Sequence, residues 1–377
     1  MNVIFLIGAV QALLFIALIF NKKERSPTDG ILITWIATLA LHVFAVYVLI
    51  EGYYNQPFGM VILLIPPLIY TGGPLLLVYT KMVTSGRPKF RSLHLLHFIP
   101  FFVSIINYLY LYYFEAGKDL EFFMTRPSIS PWTGMIFYLL NMFLNPVYVV
   151  VVLFVLKDHQ KNLRDNFSYT EEINLKWLLV LALGLGFVSI VVWIIHSLIA
   201  VGVLERNYEP EFYIFASVVV YIFMLGYFGF KQGIIYKYSP QGIDSESHQP
   251  KKHKYQKSAL TEQQAKGLLG ELTNQMEKEE SYRNNKLSLN ILAKAINTTP
   301  YQLSQLLNTY INKSFFDYVN AYRVVDAEKK ISDTAYDHYS LLGIGYDSGF
   351  NSKSSFNRIF KQHTGKTPTE YKKTVSN

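Results

Sequence analysis

Long apolar runs alternate with short polar connections from Met1 to Phe230 of this 377-residue chain. A helix needs about 20 mostly apolar residues to cross the hydrocarbon core of a bilayer, and seven stretches reach that length. The first stretch has no basic residue before it and no small-residue cleavage site after it, so we expect a retained helix rather than a signal peptide. We predict seven membrane spans: Met1–Phe20, Gly30–Ile50, Phe58–Thr80, Ser92–Phe114, Pro131–Leu156, Lys176–Leu204 and Phe212–Phe230.

The pattern changes after Phe230. Residues 231–258 lack apolar periodicity and are rich in Ser, Gln, Pro and Lys in their second part, which predicts an exposed linker. Residues 259–281 are predicted as an approach helix, because a capping signal from Thr261 to Gln264 precedes apolar residues at helical spacing. Its apolar stripe is expected to pack on the following domain or on a second copy in a homodimer. The linker carries a basic cluster that could meet lipid, DNA or only solvent: Lys251, Lys252, Lys254 and Lys257.

Two helix-turn-helix patterns follow in residues 282–377. The first has helices at Leu289–Ile296 and from Pro300 to about Thr309, and a longer helix at Phe315–Ile331 separates it from the second. The second has helices at Ser340–Tyr346 and from Ser352 to Gly365, where glycine typically ends a helix. The predicted fold class is therefore all-α: a polytopic transmembrane bundle of seven spans, followed by a soluble domain with two helix-turn-helix motifs.

The outward faces of the second helix of each motif are the candidate DNA-binding surfaces. Amide side chains can bond an adenine edge in the major groove, and cationic side chains bond phosphates and guanine. The first face has no Lys or Arg and would depend on hydrogen bonds. An ordinary solvated helix face is the alternative for both. The candidate residues are Tyr301, Gln302, Ser304, Gln305 and Asn308 in the first motif, and Ser352, Lys353, Ser355, Asn357, Arg358 and Lys361 in the second.

The second motif resembles the DNA-binding domain of the AraC/XylS transcription regulators through Ile344-Gly345, Gly349-Phe350, Ser354, Phe356, Arg358, Phe360-Lys361, Gly365, Thr367-Pro368 and Tyr371. The first half agrees more loosely through Leu292-Ala293, Leu303-Ser304, Phe315, Tyr318, Arg323 and Ala327. Gly345 stands where the family usually has alanine, Leu307 replaces an aromatic residue, and Asn312 replaces a glycine. The resemblance covers roughly residues 282–375 and implies two recognition helices that enter successive major grooves.

The charge is concentrated in the tail. From Lys231 onward the chain has 21 of its 35 Lys and Arg residues but 14 of its 27 Asp and Glu residues, which accounts for +7 of the formal +8. This asymmetry indicates an anionic partner, either nucleic acid or lipid headgroups. The chain has no cysteine, which excludes disulfides, thiol catalysis and cysteine-ligated metals.

The connections between spans predict the orientation, because Lys and Arg are retained on the cytoplasmic side. One set of alternate connections and their flanks holds Lys22, Lys23, Arg25, Lys81, Arg87, Lys89, Arg91, Lys157, Lys161, Arg164 and Lys176. The opposite set holds only Lys118, Arg126 and Arg206. We therefore predict an external N-terminus and a cytoplasmic tail.

The spans offer little chemistry of their own. No Asp, Glu, Lys or Arg is central in any of them, which argues against a proton relay, an ion pathway or an intramembrane hydrolase. His42 and His196 lie deepest and are candidates for lining a ligand pocket. His94 and His97 could in principle share a metal, but groups near the interface are more often interhelical hydrogen-bonding partners. We expect no cofactor, no metal and no enzymatic activity.

Prolines and glycines indicate where the bundle bends. The third span contains Pro66, Pro67, Gly72, Gly73 and Pro74, and such positions can be static packing features or hinges. The static interpretation is favoured because both residue types are frequent in membrane helices.

These patterns lead to one main hypothesis. The chain is predicted to be a bacterial inner-membrane transcription regulator, whose bundle senses a small-molecule or envelope signal and whose tail binds promoter DNA. The alternative is a transporter or receptor whose helical tail docks a protein partner instead of double-stranded DNA.

Overall fold

A computed structural model describes residues 3–23, 25–53, 59–85, 90–115, 131–170, 173–204, 208–235 and 260–375. The secondary structure in these ranges is helical, apart from one isolated antiparallel bridge between Phe167 and Ser288. The predicted all-α class is confirmed. The chain divides into two compact units, the first formed by residues 1–157 and 175–246 and the second by residues 158–174 and 247–377. The basic cluster of the linker and the cations Arg87, Lys89, Lys118, Arg126 and Arg206 lie outside the described residues.

Apolar helices form the first unit. Six of the helices found in the described ranges are long and apolar enough to cross a membrane, and a seventh is added if one bent pair counts as a single span. The fifth predicted span continues beyond Leu156 as one helix to Asn166, and its last residues, from Asp158, belong to the second unit. The helices are α1 (Val3–Phe20), α2 (Pro27–Ile50), α3 (Ile65–Ile69), α4 (Gly72–Thr84), α5 (Ile99–Tyr110), α6 (Pro131–Asn166), α7 (Lys176–Ala200) and α8 (Tyr208–Ile235).

The third predicted span is broken, as its prolines and glycines indicate. The segment from Met60 to Ile69 and helix α4 are bent by 56° relative to each other. The side chain of Asn145 bonds backbone groups on both sides of the break: its Oδ1 accepts from the Gly73 N–H at 2.8 Å, and its Nδ2 donates to the Ile69 carbonyl at 3.5 Å. A side chain from a neighbouring helix thus satisfies backbone groups that the break releases.

Lys22 has a structural role that its use as an orientation signal did not reveal. Its ammonium donates to Asp29 Oδ1 at 2.8 Å and to the Gly229 carbonyl at 3.0 Å. Asp29 also accepts from the Ser26 backbone N–H at 2.8 Å, which caps the start of α2. The Lys22 and Asp29 side chains are only 11% and 6% exposed, so the pair ties the ends of α1, α2 and α8 together.

The second unit contains the helices of both predicted motifs and one further helix at the C-terminal end of the described chain. The observed bounds lie within a few residues of the predicted ones. The helices are α9 (Glu262–Glu277), α10 (Leu289–Ala295), α11 (Pro300–Gln305), α12 (Phe315–Ser332), α13 (Leu341–Asp347), α14 (Lys353–Thr364) and α15 (Pro368–Val375).

Two hydrophobic cores support the two motifs, and α12 contributes to both. Phe315 and Val319 pack in the first core, whereas Phe316 and Ala327 pack in the second. The apolar stripe of α9 is buried in the first core through Ala265, Leu272 and Met276. The approach helix therefore packs on its own domain, which was one of the two predicted options for its stripe.

A buried ion pair reinforces α12. Lys330 donates to Asp326 Oδ2 at 2.7 Å and also contacts Asp347 of α13. Burial alone would raise the pKa of Asp326, but the Lys330 ammonium and the Arg283 guanidinium together hold this pKa below its usual range. Asp326 therefore remains charged at neutral pH and connects α12 to the segment before the first motif.

The turn of the second motif requires glycine. Gly349 has a φ of +92°, and a Cβ at this position would lie 2.4 Å from the Tyr282 carbonyl oxygen. Both the backbone conformation and the close approach exclude a side chain there. Gly349 thus sets the second motif directly against the backbone at Tyr282.

Candidate functional site

Helix α14 presents one polar stripe to solvent. The side chains of Lys353, Ser354, Arg358 and Lys361 are exposed and Asn357 is half-buried, whereas Phe356, Ile359 and Phe360 are buried in the second core. Residues spaced by four positions lie on one face of a helix. Three cations and two small polar side chains therefore share the surface predicted to meet base edges and phosphates.

Two residues predicted as DNA contacts of α14, Ser355 and Ser352, do not lie on this exposed stripe. The prediction of an outward Ser355 is wrong, because its side chain is only 7% exposed. Ser355 precedes Ile359 by one helical turn, so it shares the buried face. Ser352 is the N-cap of α14, and its hydroxyl accepts from the Ser355 backbone N–H at 3.1 Å. The exposed Ser354, which the sequence prediction of contacts omitted, takes the place of Ser355 on the stripe.

The corresponding helix of the first motif is shorter than predicted. Helix α11 ends at Gln305, and a π-helical turn continues from Leu306 to Ile311. The chain then leaves through Asn312 in the left-handed conformation, with a φ of +55°. Such π-helical turns are frequent at functional sites. The prediction of one regular helix to Thr309 therefore needs this correction.

The polar face of this helix differs from that of α14. Tyr301 and Asn308 are exposed, and Ser304 is half-buried and accepts a hydrogen bond from Asn308 Nδ2 at 3.2 Å. The Gln302 side chain caps its own helix, because its Oε1 accepts from the Thr299 backbone N–H at 3.3 Å. The Gln302 side-chain oxygen is thus engaged at the start of its own helix. The amide nitrogen of the same side chain is the group that can contact nucleic acid.

Gln305 has an unusual environment. Its side-chain oxygen is buried and has no hydrogen-bond partner within the described part of the chain. Because an unpaired buried acceptor is unfavourable, a donor from a bound molecule would stabilise this side chain. Among the predicted residues of the first motif, Gln305 would therefore be stabilised most by a hydrogen bond from a bound molecule.

The histidines near the fourth span are engaged by neighbouring groups. His97 Nδ1 lies 3.0 Å from the Tyr148 hydroxyl, and His94 Nδ1 accepts from the Arg91 backbone N–H at 3.3 Å. Within the described ranges, no group of three or more His, Cys, Asp or Glu residues could hold a metal ion. The contact of His97 is of the interhelical kind that the sequence favoured, whereas His94 bonds the backbone of its own segment.

A cavity of about 220 Å³ lies inside the first unit, and both candidate pocket residues line it. His42 comes from α2 and His196 from α7, with Asn141 and Trp193 among the other lining residues. The His42 ring packs against Phe215, with ring centres 5.5 Å apart. The Trp193 indole N–H donates to the Met142 carbonyl at 2.7 Å. The structure thus brings together two histidines that the sequence separates widely.

The second unit has the architecture of a double helix-turn-helix domain: two short helix pairs, each with its own core, joined by one long helix. Residues 292–374 match a protein-family model described as "Helix-turn-helix domain". The chain is also 26% identical over 90 residues to a "Probable transcription factor PqrA" from Proteus vulgaris, which covers 24% of this chain and 71% of that protein. No solved structure matches the chain. The residues that the family model matches lie within the second unit.

Proposed function

We propose that this protein is a membrane-bound, sequence-specific transcription regulator. The first unit spans the bacterial inner membrane and senses a small-molecule or envelope signal, and the second unit binds double-stranded promoter DNA in the cytoplasm. The observation that carries the proposal is the occurrence, in one chain, of six or seven apolar helices and a domain that matches a helix-turn-helix family.

The polar stripe of α14 supports DNA binding. Lys353, Arg358 and Lys361 place three positive charges on one exposed face, and a cationic side chain at a recognition helix neutralises phosphates or bonds guanine. The first motif supplies Tyr301, Gln305 and Asn308, which are uncharged. We therefore assign most of the electrostatic attraction to α14 and sequence reading by hydrogen bonds to both helices.

The cavity of the first unit supports a sensing role. It is lined by helices of the apolar bundle, which contribute the imidazoles of His42 and His196. Apolar pockets with a few polar groups are the usual form of small-molecule sites. A ligand that binds one arrangement of the helices better than another would shift the population towards that arrangement.

Genome-wide mapping of DNA bound by the full-length protein in cells tests the proposal. The wild-type protein should occupy discrete sites, and purified full-length protein in lipid nanodiscs should bind DNA fragments from those sites. Its affinity should fall as salt rises, because binding releases counterions from the phosphates.

The decisive variant replaces Lys353, Arg358 and Lys361 with alanine. We expect lost occupancy and a salt dependence of log K that is shallower by up to about three, roughly one for each phosphate contact removed. The matched control removes three exposed lysines from other parts of the second unit, Lys266, Lys278 and Lys329, and should bind nearly normally. If the purified wild-type protein binds none of the mapped DNA, the tail is not a DNA reader and the protein-docking alternative is favoured. If both variants bind the mapped DNA like the wild type, the stripe of α14 is not the contact surface.

A further inference from the structure

We infer that the cavity of the first unit binds a small, uncharged, largely apolar molecule with one or two hydrogen-bonding groups. This inference rests on the sensing role proposed above. It follows from the chemistry of the lining: none of the described residues around the cavity is Asp, Glu, Lys or Arg. A charged ligand would lose its hydration here without gaining a counterion.

The volume limits the size of the ligand. A cavity of about 150 Å³ is large enough to hold benzene. By proportion, about 220 Å³ accommodates roughly nine non-hydrogen atoms. This size corresponds to a substituted single ring or a short-chain alcohol or amide, and it is too small for a lipid or a peptide.

The polar side chains that line the cavity determine which hydrogen bonds a ligand could form. Among the described contacts there is no hydrogen bond to the imidazole of His42, which is 6% exposed, or to the carboxamide of Asn141. Asn145 and Trp193 are different, because their side chains already bond backbone groups. The hydroxyl of Tyr221, another lining residue, is buried and also has no hydrogen-bond partner among the described residues. A ligand can therefore satisfy His42, Asn141 and Tyr221, each of which can either donate or accept.

Fluorine NMR on the full-length protein in nanodiscs tests this inference with three probes of similar size. p-Fluorophenol carries a hydrogen-bonding group, fluorobenzene lacks one, and p-fluorobenzoate is charged. We expect binding in the order p-fluorophenol, fluorobenzene, p-fluorobenzoate after subtraction of partitioning into empty nanodiscs. Binding of the benzoate as tight as that of the phenol would overturn the inference.

Two variants locate the site. Val192→Trp fills the cavity and should abolish probe binding, whereas Val150→Trp adds the same bulk at a position of α6 that is 51% exposed and outside the lining. His42→Phe keeps the ring and should weaken p-fluorophenol about tenfold, the loss of one hydrogen bond, while fluorobenzene binding stays unchanged. Equal binding by the wild type and Val192→Trp would refute the site. Since no DNA is present, that failure would leave the DNA-binding proposal intact.

A different observation carries a second inference: the second unit includes a segment from the middle of the chain. Residues 158–174, here called the docked segment, comprise the end of α6 and the connection from α6 to α7, and they cluster with residues 247–377. Within this segment Ser168 is only 1% exposed. Its backbone N–H donates to the Leu287 carbonyl at 3.2 Å, its hydroxyl donates to the same carbonyl at 2.7 Å, and its own carbonyl accepts from Asn320 Nδ2 at 3.1 Å.

Arg323 of α12 completes this arrangement. Its guanidinium has five N–H donors, and the structure gives each a partner: the Tyr282 and Asn284 carbonyls, the Asn320 side-chain oxygen, and both the hydroxyl and the carbonyl of Ser168. Arg323 is 1% exposed, and burial lowers its pKa to about 9, so it is still charged at neutral pH. Withdrawal of Ser168 would leave two donors of a charged group without these partners.

Flanking contacts fix the register of the docked segment. Phe167, which is 5% exposed, forms the antiparallel bridge with Ser288, the N-cap of α10. Arg164 donates to both carboxylate oxygens of Asp317 at 2.8 and 2.9 Å. The segment thus contacts α12 and the start of the first motif, which are the elements that hold the first proposed recognition helix.

We infer that the docked segment is an integral part of the DNA-binding unit and couples it to α6 and α7. Its coupling role rests on the proposed function, whereas its docking rests on the contacts alone. When the end of α6 or the start of α7 moves, Ser168 and Phe167 move with it. Their contacts transmit this movement to α12 and to the start of α10. No separate partner protein or phosphotransfer step is required.

Cysteine cross-linking of the full-length protein tests the docking. The chain has no cysteine, so Phe167→Cys/Ser288→Cys supplies the only thiol pair. Bridged residues lie about 4.5–5.5 Å apart at Cα, which suits a disulfide. With a protease site in the linker, oxidation in native membranes should hold the two fragments together after cleavage. The control pair Asn162→Cys/Ser288→Cys should not, and equal yields from both pairs would overturn the docking.

A second experiment separates coupling from docking. Ser168→Leu removes the hydroxyl contacts and overpacks the site, while Asn162→Ala changes an exposed residue of the same segment. Ser168→Leu should speed hydrogen exchange of α12 at least tenfold and change transcription of a reporter driven by a mapped site, at equal protein level. Faster exchange with unchanged transcription would overturn the coupling, and unchanged exchange would overturn the docking as well.

Discussion

Arg323 bonds Ser168, a residue 155 positions earlier in the chain, through two of its nitrogens: Nη2 lies 2.9 Å from the hydroxyl and Nη1 lies 3.1 Å from the carbonyl oxygen. Ser168 lies in the connection between two apolar helices, and Arg323 lies in the helix that joins the two motifs. The helix-turn-helix architecture of this chain is therefore completed by residues that precede it by more than a hundred positions in the sequence.

The first prediction concerns Arg323. Arg323→Ala should strongly destabilise the second unit, because each buried group left without a partner costs about 1–3 kcal/mol. We expect exchange of the α12 amides in the full-length protein to accelerate about a hundredfold or more. Lys329→Ala, at an exposed position of the same helix, should change exchange little. Equal protection in the two variants would show that the guanidinium contacts contribute nothing to stability.

The second prediction concerns pH. The pKa of Asp326 is lower in the folded protein than its ordinary value of 3.8. A carboxyl with a depressed folded pKa contributes stability above its unfolded pKa, and that contribution is lost as the pH falls through the folded value. Protection of α12 in the wild type should thus be constant from about pH 7 to 5 and decline below about pH 4.

Asp326→Asn tests this linkage. The variant should be less protected at neutral pH, because Lys330 loses its buried charged partner and keeps only the half-exposed Asp347. Its protection should also vary less with pH below about 4. Glu328→Gln, which removes a carboxylate from the same helix, is the control. A decline in Asp326→Asn as steep as in the wild type would assign the acid sensitivity to other groups.

The third prediction compares two glycines with positive φ. Gly365→Ala should cost about 1–2 kcal/mol, the penalty of the left-handed conformation, because nothing lies within 4 Å of the new Cβ. Gly349→Ala carries the same backbone penalty and adds a contact of 2.4 Å with the Tyr282 carbonyl oxygen. We therefore expect Gly349→Ala to disrupt the second motif and Gly365→Ala to be tolerated, as measured by hydrogen exchange of α13 and α14. Similar effects of the two changes would contradict the close approach.

The fourth prediction concerns the first motif. Asn308→Ala removes an exposed, uncharged side chain, so binding to mapped sites should lose sequence preference while the slope of log K against log salt stays unchanged. Competition between mapped and scrambled DNA measures the preference. Lys294→Ala, on the preceding helix, provides a comparison for the salt slope, because this variant loses a positive charge. A change of salt slope in Asn308→Ala would show that the variant alters the charged contacts indirectly.

Local patterns predicted the helices well. Apolar runs predicted the long helices of the first unit, and the capping signal at Thr261 predicted the start of α9, where the Thr261 side chain accepts from the Gln264 backbone N–H. The proline and glycine cluster indicated the broken third span. Periodicity also gave most of the exposed stripe of α14, but it could have excluded Ser355, since this residue lies one turn before the buried Ile359.

Long-range partners left no such signal. Lys22 was counted as an orientation signal, although its ammonium bonds Asp29 and the Gly229 carbonyl. Ser168 lies in a short polar connection, where serine is ordinary, and its role depends on groups brought together only by folding. The π-helical turn after Gln305 was equally hidden, because the six residues from Leu306 to Ile311 are too few to show a period of their own.

The contact between Ser168 and Arg323 also bears on regulated proteolysis. While the chain is whole, the docked segment faces its site at the high local concentration of a tethered partner. A cut in the linker would turn this contact into an association between two separate molecules, yet it would not break the hydrogen bonds themselves. In the proposed regulator, a liberated C-terminal fragment would remain bound to the docked segment until those contacts opened, so cleavage alone would not release it.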